Sequence, residues 1–162
     1  MEKLTLSDYR SLAEFRYQIR RFLAFSEQVA RAAGLEPQQH QLMLALKGLP
    51  SGARPRIGEL AERLQIQHHS TVELVNRLAA EGYVRRRRGD SDRREVLLSL
   101  TPAGERVLGD LSLHHREELR RAAPDLLRAL KRVTAGGRAS SERRPVVSVG
   151  RTPAKRRKAA EA

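Results

Sequence analysis

Between Ala80 and Leu100 the hydrophobic period of the chain switches from that of a helix to that of a strand. This switch restricts the fold more than any other feature. Upstream, in HHSTVELVNRLAAEG, Thr71, Leu74, Val75 and Leu78 recur at i, i+3, i+4 and i+7, the buried face of a helix. Gly82 supplies the helix end. Downstream, Tyr83 to Arg88 and Glu95 to Leu100 read as two strands, with GDSDR as the turn between them. A hairpin therefore follows directly on a helix. Ten of its residues, Arg85 to Arg94, hold six arginines and two aspartates.

The flanking segments are helical. Residues 8–33 carry Leu12, Phe15, Ile19, Phe22, Ser26, Val29 and Ala33 at alternating spacings of three and four, which predicts one apolar stripe. Thr5 with Asp8 predicts a capping box, and Gly34 the end. Phe15 and Phe22 read as core, whereas Tyr17 and Phe25 lie off the stripe and need a second surface. Pro37 opens a second helix to about Leu46. LKGLPSGARP breaks it, IGELAERLQI forms a short third helix, and a turn near Gln67 leads into the fourth. Thr101 and Pro102 start a long helix as cap and first residue. Val107, Leu108, Leu111, Leu119 and Ala122 give it a stripe. Pro124 is expected to break it before a short last helix with Leu126, Leu127, Leu130 and Val133. The fold class is mainly α with a two-stranded β-wing.

The chain of 162 residues suits one domain or one domain with an extension. Composition changes near Thr134. Residues 134–162 hold eight basic and two acidic side chains, a net +6 of the total +13, in a Gly, Ser and Pro context that reads as a disordered tail. Such an excess of positive charge is costly by self-repulsion unless a polyanion offsets it. Nucleic acid is the first candidate and an anionic membrane surface the second. The absence of cysteine excludes disulfides and thiolate metal sites. The N-terminus has no apolar signal region, and no run approaches the ~18 apolar residues of a membrane span, so an intracellular setting, cytoplasmic and nucleoid-associated, is expected.

A short helix joined by a tight turn to a second amphipathic helix is a helix-turn-helix, and a basic hairpin placed straight after it is a wing. The outward face of the second helix carries His68, His69, Ser70, Val72, Glu73, Asn76 and Arg77. Asn pairs with adenine and Arg with guanine in a bidentate way, and a valine methyl touches that of thymine. Alternation along the first wing strand sends Arg86 and Arg88 to one side, where they reach phosphates. An arginine near the wing tip suits a narrow minor groove. Asp90 and Asp92 would repel DNA, so their expected task is to hold neighbouring arginines in fixed rotamers.

LAERLQIQHHSTVELVNRLAAEGYVRRRRGDSDRREVLLSLTPAG resembles the winged helix-turn-helix of MarR-family transcriptional regulators. Asp92-Arg93-Arg94 leading into Leu100-Thr101-Pro102-Ala103-Gly104 matches their wing signature, and Gly82-Tyr83-Val84 their helix closure. The resemblance covers about residues 8–133. It implies a DNA-binding lobe at about 37–100 and dimerisation helices at about 8–33 and 102–133. It implies a homodimer on a pseudo-palindromic site in double-stranded DNA, with repression, the expected sign here, or activation, often relieved by a small-molecule effector near the junction of dimer arm and DNA-binding lobe. The carried-over recognition positions are Gln67, His68, His69, Ser70, Thr71, Glu73 and Asn76, with Arg93 and Arg94 at the wing tip. The dimerisation candidates are Leu12, Phe15, Ile19, Leu111, Leu119, Leu126, Leu127 and Leu130. Tyr17, Phe22 and Phe25 are candidates for an effector pocket. Two departures stand out: Glu73 replaces a residue that is often basic or small, and the arginine run and basic tail exceed the family pattern.

Other readings are weaker. His68 and His69 are adjacent on a helix and point about 100° apart, so they chelate poorly. His114 and His115 read as surface or interface histidines, the alternative being a metal-responsive site shared with His40. No phosphate loop, serine elbow or HExxH motif is present, so neither an enzyme nor a cofactor is expected. The chief rival is an architectural DNA-binding protein with little sequence preference and no ligand.

Overall fold

The structure, a computed structural model, describes residues 3–89 and 95–135. The elements run α1 (Leu6–Ala32), α2 (Pro37–Lys47), α3 (Ile57–Leu64), α4 (His68–Ala80), β1 (Val84–Arg88), β2 (Val96–Leu100) and α5 (Pro102–Thr134). The long helices α1 and α5 pack on each other, and α2 bridges them to the lobe made of α3, α4 and the hairpin.

Local signals start and stop these elements. Asp8 Oδ2 accepts from Thr5 N at 2.7 Å, and Thr5 Oγ1 accepts from Asp8 N at 3.3 Å, the predicted capping box. The bonds to Thr5 hold the Asp8 carboxyl below its ordinary range. Helix α3 ends on Gln65, whose φ of +54° makes it the one non-glycine residue in the left-handed region among the described residues. The bond from Gln65 Nε2 to Glu62 O, 2.6 Å, supports this uncommon backbone. The helix-turn-helix turn thus begins at Gln65, two residues before the expected position. Helix α4 closes in a Schellman motif: Tyr83 N donates to Leu78 O, and Gly82 N, at φ +77°, donates to Ala79 O.

The hairpin is antiparallel, in register from Val84 opposite Leu100 to Arg88 opposite Val96. Leu98 N also donates to Pro55 O at 2.8 Å, which docks the loop before α3 on the edge of β2. Where β2 runs into α5, Thr101 Oγ1 accepts from Gly104 N and donates to Gly82 O, so one side chain caps α5 and ties it to the end of α4. The approach is tight. A Cβ on Gly104 would lie 2.2 Å from the Tyr83 carbonyl oxygen.

The core is aliphatic: Leu35, Leu42, Met43, Leu46, Leu60, Leu74, Val75, Leu78, Val84, Leu98, Leu100, Leu108 and Leu111 form one cluster. Three expectations are corrected. Helix α5 does not break at Pro124; it is continuous over 33 residues. The proline removes one backbone donor, about 3 kcal/mol against an isolated helix, but α1 packs along α5 and holds it through the defect. The stripe of α1 is only partly as expected: Ser26 is buried and Phe15, Ile19, Phe22 and Val29 are half-buried, but Gln18 and Ala30 are buried as well, and Leu12 and Ala33 are exposed. Buried Gln18 donates to Glu14 Oε1 at 2.7 Å, so its amide is not left unpaired. Leu111, a dimerisation candidate, instead belongs to the core of its own chain, because the first turns of α5 complete the lobe.

Candidate nucleic-acid interface

Helix α4 turns Leu74, Val75 and Leu78 to the core and its other face to solvent. Gln67, His68, His69, Glu73, Asn76 and Arg77 are exposed there, with Ser70 and Val72 half-buried. Thr71 departs from the set of recognition positions. It sits three residues before Leu74, is fully buried, and its hydroxyl donates to Gln67 O at 3.2 Å.

Strand β1 exposes all four arginines. Alternation still divides them. Arg85 Nε donates to Ser99 Oγ, its cross-strand partner, at 3.0 Å. Arg86 reaches α4 instead, and its Nη2 donates to Asn76 Oδ1. Wing and helix are thereby joined by one bond between two residues of the candidate DNA face. That bond bears on recognition: pairing with adenine needs the Asn oxygen as acceptor and the amide as donor, and here Arg86 already uses the oxygen. Arg88 has the strand parity of Arg86. Asp90, Asp92, Arg93 and Arg94 lie outside the described residues, as does the tail from residue 136.

The root of the wing holds residues that sequence reading missed. Glu95, with its side chain 10% exposed, accepts from Arg54 at 2.6 Å and lies 3.7 Å from Arg56. These partners are some forty residues apart, and no local pattern announces them. Nearby, Lys47 bonds Glu105 at 2.5 Å; that bond, then the Lys47 charge and, more weakly, Arg85, hold the Glu105 carboxyl below its ordinary range.

The effector-pocket residues separate. Tyr17 is exposed, with the Arg21 guanidinium 5.9 Å over its ring. Phe22 and Phe25 instead present their rings edge-on to His115, at centroid distances of 6.4 and 6.1 Å. His115 is not a surface histidine. It is buried and stacks on buried His40 at 4.6 Å with planes 16° apart. Burial, and secondly the neighbouring His115, push the His40 pKa down to about 4. His114 remains exposed, its Nδ1 2.9 Å from Asp110 O. Among the described residues no group of three or more His, Asp or Glu is placed to hold a metal ion. Between α1 and the start of α2, a groove of about 350 Å³ is lined by Glu27, Arg31, Glu36, Pro37 and Gln38, and reaches Leu74 and Arg77 on α4.

A helix-turn-helix followed by a two-stranded basic wing, set between long N- and C-terminal helices, is a winged-helix fold. Comparison with known proteins shows what it resembles. The profile of the MarR family matches residues 33–95. The uncharacterized HTH-type transcriptional regulator YsmB of Bacillus subtilis is 33% identical over 64 residues, which span 40% of this chain and 44% of that protein. The fold extends further. AbsC, a MarR family transcriptional regulator from Streptomyces coelicolor, superposes with a TM-score of 0.65 at 23% identity, over 81% of this chain and 91% of AbsC. RV1404 from Mycobacterium tuberculosis superposes at 0.63 with 22% identity, over 85% and 97%. A MepR mutant from S. aureus, solved bound to an oligodeoxyribonucleotide, superposes at 0.56 with 17% identity, over 75% and 84%. Residues 33–95 are thus similar to the MarR family, and with α1 and α5 the chain has the fold of the MarR regulators it superposes on. No helix among the described residues is long and apolar enough to cross a membrane.

Proposed function

We propose that the protein is a transcriptional regulator that binds a pseudo-palindromic site in double-stranded DNA as a homodimer and acts as a repressor. The observation that carries this reading is the continuous exposed face formed by Asn76 and Arg77 of α4 and the arginines of β1, joined by the bond from Arg86 to Asn76. A duplex carries one phosphate charge per ~1.7 Å, which offsets an arginine run of this density. Specificity comes from His68, His69, Ser70, Asn76 and Arg77 in the major groove, and affinity from Arg86, Arg88 and the wing tip with Arg93 and Arg94. The basic tail adds phosphate contacts.

The dimer reading is supported by apolar surface without a partner in one chain. Leu12, Leu119, Leu127 and Leu130 are exposed on α1 and α5, with Phe15, Ile19 and Leu126 half-buried beside them. A second copy buries that surface and sets the distance between the two α4 helices. A small-molecule effector that favours a mismatched distance releases the DNA, by no more than its differential affinity for the two forms. The junction near Phe22 and Phe25, where α1 meets α5, is the place for such control.

Two substitutions separate the roles. Arg88→Ala is expected to weaken binding to all sequences alike and to lower the slope of log affinity against log salt by about 0.9. Asn76→Ala is expected to change which sequences are selected from a random pool, at a cost on the order of 1 kcal/mol at the affected base pair. If both variants select and bind the same sites as the parent, this face does not meet DNA.

A further inference from the structure

His40 sits on α2 and is 2% exposed, yet neither ring nitrogen has a hydrogen-bond partner. Buried polar groups are almost always paired, so two unpaired nitrogens on one ring need an explanation. His115 of α5 stacks on it, and Phe22 and Phe25 of α1 meet the His115 ring edge-on. The one polar contact of the pair is His115 Nε2 with the Ser26 carbonyl of α1, at 3.5 Å, too long for a strong bond. Of the carboxylates on nearby elements, Glu27 of α1 pairs with Arg31, and Glu81 beyond α4 accepts from Gln39 of α2. His115 is the one titratable neighbour whose interaction adds to burial in lowering the His40 pKa. The stack thus lies where lobe helix α2 meets α1 and α5, with no carboxylate to receive a proton's charge.

We propose that the His40–His115 stack is an acid-sensitive hinge: protonation separates α2 from α5 and changes the angle at which the lobe presents α4. The chemistry is direct. A neutral stack is an apolar contact. An imidazolium at His40 carries two N–H donors that have no acceptor in the closed arrangement, and it faces a second ring able to take the same charge. Opening admits water, which supplies acceptors and screens the charge. With the His40 pKa at about 4 when closed and 6.5 when open, lowering pH from 7 to 5 favours the open arrangement by roughly 20-fold. The consequence for DNA rests on the reading proposed above: recognition helices at the wrong angle lose one half-site.

The chain has no cysteine, so two spin labels can be placed cleanly. Glu73→Cys on α4 and Arg121→Cys on α5 are both exposed. Labelled chains diluted into unlabelled protein report the distance within one chain at pH 7 and pH 5. The hinge predicts a displaced, broader distance distribution at pH 5 with unchanged helicity. It also predicts loss of that change in His40→Phe, or in His40→Leu should the larger ring fail to fit. An unchanged distribution in the parent, the same change in the variants, or a parallel loss of helicity overturns the hinge. DNA binding is measured in parallel on the unlabelled, cysteine-free parent and His40 variants. Release of a selected site at pH 5 by the parent and not by the variant supports the regulatory step, and equal retention by both overturns it. Failure of the parent to bind any DNA at pH 7 counts against the DNA reading instead, and the distances alone then decide the hinge.

Discussion

Gly104 shows how a single residue determines the geometry of the site. It stands in the Leu-Thr-Pro-Ala-Gly run where the wing becomes α5, and any side chain there meets the Tyr83 backbone. The clash is with a carbonyl that also accepts from Thr101 N, so neither partner is free to yield. Gly104→Ala is expected to cost about 2 kcal/mol, seen as a lower midpoint in denaturant; an unchanged midpoint contradicts the close approach. His40 makes a second prediction. Its folded pKa, about 4, lies below the unfolded value of 6.5, so the unfolded chain takes up the proton first as pH falls. The stability linked to this group is complete above pH 6.5 and is lost as pH falls to about 4, a decline on the order of 3 kcal/mol. Denaturant titrations across that window should show the decline in the parent and a flatter profile in His40→Leu. Equal slopes in the two would remove His40 as the cause.

Elements were legible where their signals are local. Thr5 with Asp8, Pro37, Gly82 and Thr101 mark helix ends by their own chemistry, and the change of period marks the hairpin within a residue of its observed strands. What escaped depends on residues far apart. The sequence brings His40 to His114 and His115 only as an alternative, a metal-responsive site, and not as the buried stack across 75 positions that is observed; Glu95 finds Arg54 and Arg56 only once the 53–56 loop docks on β2. The stripe on α1 departs from the reading at Leu12 and Ala33, which are exposed, and at Gln18, which is buried with its own partner. Thr71 could be read both as core and as recognition residue; burial decides for the core. The continuity of α5 is the sharpest case, since Pro124 is a strong local breaker that packing against α1 overrides. Pro124→Ala is therefore expected to stabilise the protein by about 1–3 kcal/mol, by restoring one helical bond and removing the ring clash. No gain in thermal stability would mean that the helix is interrupted there after all.

Across the whole molecule, two halves divide the work. The lobe presents α4 and the arginines of β1 on one exposed face, while α1 and α5 leave Leu12, Leu119, Leu127 and Leu130 exposed, the surface assigned above to the proposed dimer. The buried histidine stack lies between them. A dimer turns the lobe angle into the distance between recognition helices, which is what a two-half-site operator measures. The sequence carries a net +13, enough to bind DNA without regard to sequence, so affinity alone does not establish a regulator. The decisive measurement is footprinting on fragments that the purified protein selects from genomic DNA, repeated at two salt concentrations. The account predicts a protected pseudo-palindrome with half-site centres about 10 bp apart, retained with reduced affinity at the higher salt. Diffuse protection that follows no sequence and disappears as salt rises would contradict it, and would make the protein an architectural binder driven by its arginines and tail.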